Sequence, residues 1–282
     1  MKLALGTVQF GLNYGINNSN GIPAADELFN IFTLATKLGI RYLDTAPGYG
    51  DAEVKIGKFA ANKFKIISKF FKPACQQALL DQFKETLQRV KQKKIYGYIA
   101  HNADNLVERT ELWEALLVLK SKNVVEKIGY SLYTPKQLEL LLAKGIIPDL
   151  VQVPYSLLDR KFEPYFVKLK NLGAEIHVRS VFLQGLYFMD VESLPVKLLP
   201  LKDSLDELNT ICENKNVTRG ALALNFVARN PLIDQVVIGV DSALQLKENI
   251  EMVNSWLPDK GLISAIKNIK VSHPQLLNPA NW

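Results

Sequence analysis

Asp44, Tyr49, Lys69 and His101 fall within one third of the chain, and three of the four close a short apolar run. The runs read RYLD, FKIISK and YGYIAH, and Tyr49 stands in the APGYG turn after the first. Each residue alone has a plain structural role. An aspartate caps a loop, a lysine snorkels, a tyrosine packs in a turn, and a histidine makes a structural hydrogen bond, as is expected of His177 and His273. Three apolar runs ending in ionisable groups ask for more, because such groups are rarely buried without a partner. The four together support proton transfer at a carbonyl. A free phenol titrates near a pH of about 10, and an acid working near neutrality gains if that value falls. The ammonium of Lys69 is expected to lower it by attraction. Asp44 would hold Lys69 in place and charged, and His101 would donate a hydrogen bond to a carbonyl oxygen. Such a set protonates an oxyanion while another group attacks the carbonyl carbon. No metal-ligand spacing occurs in the sequence, and no metal is expected.

These residues need a scaffold that brings strand ends together. Eight short apolar runs read as strands: 2–7, 41–44, 64–69, 96–101, 127–130, 150–153, 176–179 and 236–238. Between them lie stretches with helical periodicity. Leu79, Phe83, Leu87 and Val90 share one helical face, as do Leu28, Phe32 and Ala35. Gly39, Gly145 and Gly173 follow three of these stretches, where a left-handed helix cap favours glycine. The unit is strand then helix, repeated about eight times at roughly 30 residues each. Parallel strands need such crossovers. An open doubly wound sheet would offer G-x-G-x-x-G after its first strand, and GTVQFGLNYG does not match it. The expected fold is therefore an α/β (β/α)8 TIM barrel, a single domain over residues 1–282, with its site at the C-terminal strand ends. Segment 187–200 is expected to be a long loop over the barrel mouth.

Composition narrows the class. The chain has 282 residues, 48% hydrophobic and 22% charged, enough apolar material for one large core. No apolar run is long enough to cross a bilayer. The N-terminal apolar stretch is too short for a signal-peptide core, so a cytoplasmic protein without membrane partners is expected. The N-x-S/T sequons at 17–19 and 216–218 then carry no function. Cys75 and Cys212 lack paired spacing, which argues against a disulfide framework. The net charge of +6 favours anionic small molecules. The lysines are dispersed, however, and the cluster at 91–94 suits a helix C-terminus. No nucleic-acid signature is present.

The chain resembles the aldo-keto reductases. DTAPGYG and the following GDAEVKIGKF are similar to that family's second-strand block, ISK and IAHN to its third and fourth strand ends, and LGTVQFG to its first turn. IGYSLY, LVQVPYSLLDR, VRSVFLQGL and VVIGVDSALQLKENI resemble the fifth to eighth strands, so the likeness runs in order along almost the whole chain. The resemblance implies a nicotinamide cofactor across the barrel mouth, hydride transfer to an aldehyde or ketone, and Tyr49 as the proton donor. It assigns Asp44, Tyr49, Lys69 and His101 to catalysis. It assigns Gly6, Thr7, Asp44, Ser131, Gln152, Arg179, Ser180, Phe182, Gln184, Gly185, Gly239, Ser242, Gln245, Glu248 and Asn249 to the cofactor. Ser131 and Gln152 would hold the carboxamide, Arg179 would stack on the ring, and the helix opening near Ser242 would take a phosphate. NADP(H) is favoured on the family's habit, with NAD(H) as the alternative. Tyr14, Tyr49, Phe71, His101, Asn102, Tyr155 and Trp282 are the expected substrate-side residues. The VRSVFLQG block resembles bacterial members related to sugar dehydrogenases and polysaccharide biosynthesis, which implies a sugar-like carbonyl substrate. A monomer or weak homo-oligomer is expected.

Two other readings stand beside this one. One is a cofactor-binding regulatory module without turnover. The other is a Schiff-base aldolase using Lys69 as the amine, although Asp44 beside it would keep that amine protonated.

Overall fold

Strand-forming runs in this chain are apolar on both faces, as a parallel sheet wrapped in helices demands. The computed structural model describes residues 2–16, 18, 20–255 and 258–282. Asn17 and Ser19 of the first sequon lie outside the described residues. All eight expected strands form, with bounds differing by up to two residues: β1 Leu3–Gly6, β2 Tyr42–Asp44, β3 Lys65–Phe70, β4 Ile95–Ala100, β5 Val125–Ser131, β6 Leu150–Pro154, β7 Glu175–Arg179 and β8 Gln235–Gly239. Each pairs in parallel with the next, and β8 closes on β1 through Leu3 to Val236 and Gly6 to Gly239, giving a closed barrel. The register sets Gly6 level with both Asp44 and Gly239, so three rim positions lie side by side.

The described helices are α1 Val8–Gly11, α2 Ala25–Lys37, α3 Ala52–Phe59, α4 Gln76–Val90, α5 Asp104–Glu108, α6 Glu111–Ser121, α7 Pro135–Ala143, α8 Phe166–Asn171, α9 Lys202–Lys215, α10 Arg219–Ala228, α11 Ala243–Ser255 and α12 Lys260–Asn268. Leu28, Phe32 and Ala35 of α2 are buried, as are Leu79, Phe83 and Val90 of α4, with Leu87 half-buried beside them. Gly39, Gly145 and Gly173 follow α2, α7 and α8 with φ of 76°, 72° and 80°. The lysine cluster begins where α4 ends, Lys91 itself taking the left-handed cap at φ 52°. Ile67, Tyr96, Ile99 and Leu150 form a separate apolar cluster with Tyr42 against it. Its members come from four strands and no helix, so it fills the barrel interior.

Segment 187–200 differs from the expected loop. Its chain winds through 3-10 turns at Leu183–Phe188, Val191–Ser193 and Val196–Leu201. Tyr187, Val191, Leu194 and Leu198 are buried, so these side chains pin the segment to the barrel's outer layer while most residues between them stay exposed. Its apolar residues recur too irregularly for strand or helix, yet they suffice to bury short turns.

Candidate active site

Asp44 ends β2, Lys69 sits one residue before the end of β3, and His101 follows β4 directly. Adjacent parallel strands set these groups side by side. Lys69 is completely buried, and its Nζ donates to Asp44 Oδ1 at 2.7 Å, to the Thr45 carbonyl at 2.9 Å and to Tyr49 Oη at 3.5 Å. The other Asp44 oxygen accepts from Gln152 Nε2 at 2.7 Å. The Tyr49 and His101 rings meet edge to face, 5.7 Å between centroids.

The turn carrying Tyr49 is held from two sides. Gly11 and Gly50 bring the first and second loops into backbone contact: a Cβ on Gly11 would lie 1.9 Å from the Tyr49 carbonyl oxygen, and one on Gly50 would lie 2.4 Å from the Gly11 oxygen. From behind, the buried Glu53 of α3 accepts from Ser68 Oγ at 2.6 Å and from Arg89 Nε at 2.7 Å, which fixes α3 against β3 beside Lys69.

Charge partners and burial compete here. Burial pulls the Lys69 ammonium toward neutrality, but Asp44 and the Tyr49 oxygen outweigh it, and its pKa rises above 10.5. The expected lowering of Tyr49 is not found. Burial dominates and raises its pKa above 10.0; Lys69 opposes this, while Asp44 cancels part of the ammonium's pull. Tyr49 is thus a protonated phenol across the physiological range. Burial, then the Lys69 charge, pushes His101 down to about 4, so its ring is neutral near pH 7.

Tyr49 and His101 open onto a cleft of about 520 Å³, lined also by Asp44 and by residues from β1, β5, β6, β7, β8 and α11. That volume lies within the range of small-molecule and cofactor sites. Of the expected cofactor residues, Gly6, Thr7, Asp44, Ser131, Gln152, Arg179, Ser180, Phe182, Gln184, Gly185, Gly239, Gln245, Glu248 and Asn249 all line it. Ser242 does not; it caps α11, its Oγ accepting from the Gln245 N–H at 3.2 Å. Arg179 lies 4.5 Å over the Tyr133 ring and donates to the Leu132 carbonyl at 3.2 Å. The wall after β7 bends through left-handed backbone at Ser180, Leu183, Gln184 and Gly185. Gln184 reaches across to the β1 loop, its Nε2 donating to Tyr14 Oη at 2.7 Å and its carbonyl accepting from the Ile16 N–H at 3.1 Å.

The expected substrate-side residues divide. Tyr14, Tyr49 and His101 line the cleft. Phe71 does not, but its exposed ring stands edge-on to His101 at 5.8 Å, at the rim. Asn102 turns away, accepting from the Asp104 N–H and from Gln137 Nε2. Tyr155 lies one residue past β6, on the alternate face from Gln152, and is buried against Phe166 and Phe226. Trp282 donates to the Leu276 carbonyl at 2.7 Å and packs on the core outside the cleft. Val8, Gln9, Gly15, Asn18, Tyr133, Val181, Phe188 and Met252 line the cleft as well, as do Val237, Ile238 and Asp241 of the last strand and its turn. Sequence reading missed most of these because nothing in their residue type or spacing marks them as facing the cleft. No group of metal-ligating residues occurs among the described residues.

The closed parallel barrel thus carries an Asp–Lys–Tyr–His cluster at its strand ends, and comparison with known proteins identifies its class. The Aldo/keto reductase family model matches residues 2–269, and the chain belongs to that family. It is similar to the NADH-specific methylglyoxal reductase of Escherichia coli, 24% identical over 80% of this chain and 82% of that protein. It is also similar to the D-threo-aldose 1-dehydrogenase of a Pseudomonas species, 26% identical over 88% and 90% of the two chains. Among solved structures, the glycerol dehydrogenase of Gluconobacter oxydans shares the fold with a TM-score of 0.77 at 18% identity, over 95% of this chain and 90% of that one. Among the described residues no helix is long and apolar enough to cross a membrane.

Proposed function

We propose that this chain reduces an aldehyde or ketone to an alcohol with a reduced nicotinamide dinucleotide, Tyr49 giving the proton to the carbonyl oxygen. One observation carries the reading: the buried Lys69 ammonium bridges Asp44 and the Tyr49 hydroxyl at the mouth of the cleft. Three cleft residues also hold buried polar atoms without hydrogen-bond partners among the described residues, Gln9 Oε1, His101 Nδ1 and Asp241 Oδ1. Such atoms favour a polar ligand. When bound, a reduced nicotinamide supplies hydride.

The protein's own groups do the rest. Ser131 and Gln152, level with each other on β5 and β6, would hold the carboxamide. Ser180, Phe182, Gln184 and Gly185 would hold the pyrophosphate side. Neutral His101 orients the carbonyl. As oxyanion charge develops, the Tyr49 phenol donates its proton, and the resulting phenolate forms 3.5 Å from the Lys69 ammonium. That charge pair is strongest after transfer, which is where stabilisation accelerates the step. The raised pKa of Lys69 disfavours the free amine that a Schiff-base aldolase needs.

The substrate is proposed to be a small hydroxylated carbonyl compound of sugar type. The aldose named in one relative supports this, as do Tyr14, Tyr133 and Arg179 on the cleft wall. Residues 1–282 are proposed to work as one cytoplasmic barrel domain, a monomer or weak homo-oligomer. The test is Tyr49→Phe, assayed by loss of nicotinamide absorbance over a panel of small aldehydes and ketones. Turnover is expected to fall by about 10² to 10⁴, with dinucleotide binding kept. An unchanged rate ends the proposal. Tight dinucleotide binding by the unmodified chain without turnover on any carbonyl favours the regulatory module instead.

A further inference from the structure

Resting on the dinucleotide reading above, we infer that the chain selects NADH over NADPH, with the Asp241 carboxylate accepting a hydroxyl of the adenosine ribose. The cleft has a reacting end, at Tyr49 and His101, and a far end built by the β8 turn and α11 through Asp241, Gln245, Glu248, Asn249 and Met252. A dinucleotide with its nicotinamide at the reacting end brings its adenosine to the far one. NADPH differs from NADH there by one phosphate on the ribose, so the charge of that end decides between them.

That charge is negative. Asp241 and Glu248 both line the far end, and none of its described lining residues is a lysine or arginine. Asp241 is only 9% exposed, and its Oδ1 has no hydrogen-bond partner among the described residues. A buried acceptor without a donor is costly, and a ribose hydroxyl supplies the missing donor. A phosphate supplies none and adds like charge. Burial raises the pKa of Asp241 against hydrogen bonds from its own backbone and from Asn20, and Glu27 adds a smaller push upward.

The helix end cannot compensate. The first turn of α11 was the expected phosphate site, since free amides at a helix start bind anions. Here the Ala243 N–H donates to Glu27 Oε1 at 2.5 Å, the Gln245 N–H to Ser242 Oγ at 3.2 Å, and the Asp241 N–H to Gln245 Oε1 at 3.1 Å. A carboxylate of α2 therefore occupies part of the anion position. The NADP(H) preference expected from family habit rests on cations that this end lacks.

The test is direct titration of the purified full-length chain with NADH and with NADPH, read by nicotinamide fluorescence. NADH is expected to bind about tenfold tighter or more, since like charges set against each other disfavour NADPH, and the gap should narrow as salt rises. Asp241→Asn should weaken NADH and strengthen NADPH, and Gln245→Arg should shift the binding ratio toward NADPH. Thermal melts check that each variant folds, and Gln245→Arg carries the test if Asp241→Asn does not. Equal or tighter binding of NADPH by the unmodified chain overturns the inference and leaves the dinucleotide reading standing. So does a folded Asp241→Asn whose binding ratio is unchanged. Failure to bind either dinucleotide removes the dinucleotide reading and this inference with it.

Discussion

Asp44→Asn keeps the side chain's shape and removes one charge from a pair that is shut away from water. Lys69 is fully buried and Asp44 is 4% exposed, their contact being 2.7 Å. Breaking a buried pair by neutralising one partner costs about 3–5 kcal/mol, because the other charge is left uncompensated. For a chain of this length that corresponds to a fall of about 5–8 °C in Tm. The pH dependence follows from Lys69. Its folded pKa lies above 10.5, so the pair's contribution is complete below the ordinary lysine value and is lost as pH climbs through the raised one. Without Asp44, burial dominates and the folded pKa drops, so the deficit is largest near neutrality and shrinks in alkali. Urea unfolding of Asp44→Asn, Lys69→Met and the double variant, at pH 7 and pH 9.5, measures this. The double should recover most of the Asp44→Asn loss, since no charge then remains stranded. A loss below about 1 kcal/mol, or a double variant as unstable as the two singles added together, refutes the reasoning.

Acid should act through His101. Its pKa is depressed from 6.5 to about 4 in the fold, so the unfolded chain binds the proton more readily, and stability falls as pH drops below 6.5. By pH 4.5 the loss is about 2–3 kcal/mol, seen in urea unfolding and absent in His101→Gln; equal acid sensitivity in that variant refutes the assignment. Gly11→Ala forces a methyl against the Tyr49 carbonyl oxygen and is expected to cost about 1–3 kcal/mol and to lower kcat more than it changes KM. Steady-state kinetics decide this, and wild-type kcat would show that the two loops yield. Glu53→Gln weakens the hold on Ser68 and Arg89 and should cost about 1–3 kcal/mol, measured by calorimetry, with a larger loss in Arg89→Met, which strands the buried Glu53 carboxylate where Glu53→Gln leaves only a partly solvated guanidinium.

Strand number, order and closure were legible because apolar runs and helical faces alternate so regularly, and Leu79, Phe83 and Val90 point inward for the same reason. The cluster of Asp44, Lys69 and His101 was legible because these residues stand at strand ends, where a parallel barrel converges, with Tyr49 in the turn beside them. What failed depended on distances that no local pattern carries. The titration of Tyr49 turned on burial, which exceeds the pull of Lys69. Tyr155 was misassigned by the pleat, since a single step past β6 moves a side chain to the opposite face. The opening of α11 looked free in sequence, yet Glu27, more than two hundred residues earlier, fills it. The cleft walls at Tyr133 and Phe188 follow loop paths, and left-handed backbone at Ser180, Leu183 and Gln184 has no signature in those residue types.

On the proposed reading, the proton-handling groups lie within residues 44–101 and the coenzyme-selecting ones within 239–249, and the two sets sit on different arcs of the ring. On that reading, an engineer can change the coenzyme at one arc while leaving the chemistry at the other untouched. The same separation would let substitutions at the β8 turn alter coenzyme choice with the Asp44, Tyr49, Lys69 and His101 cluster left intact.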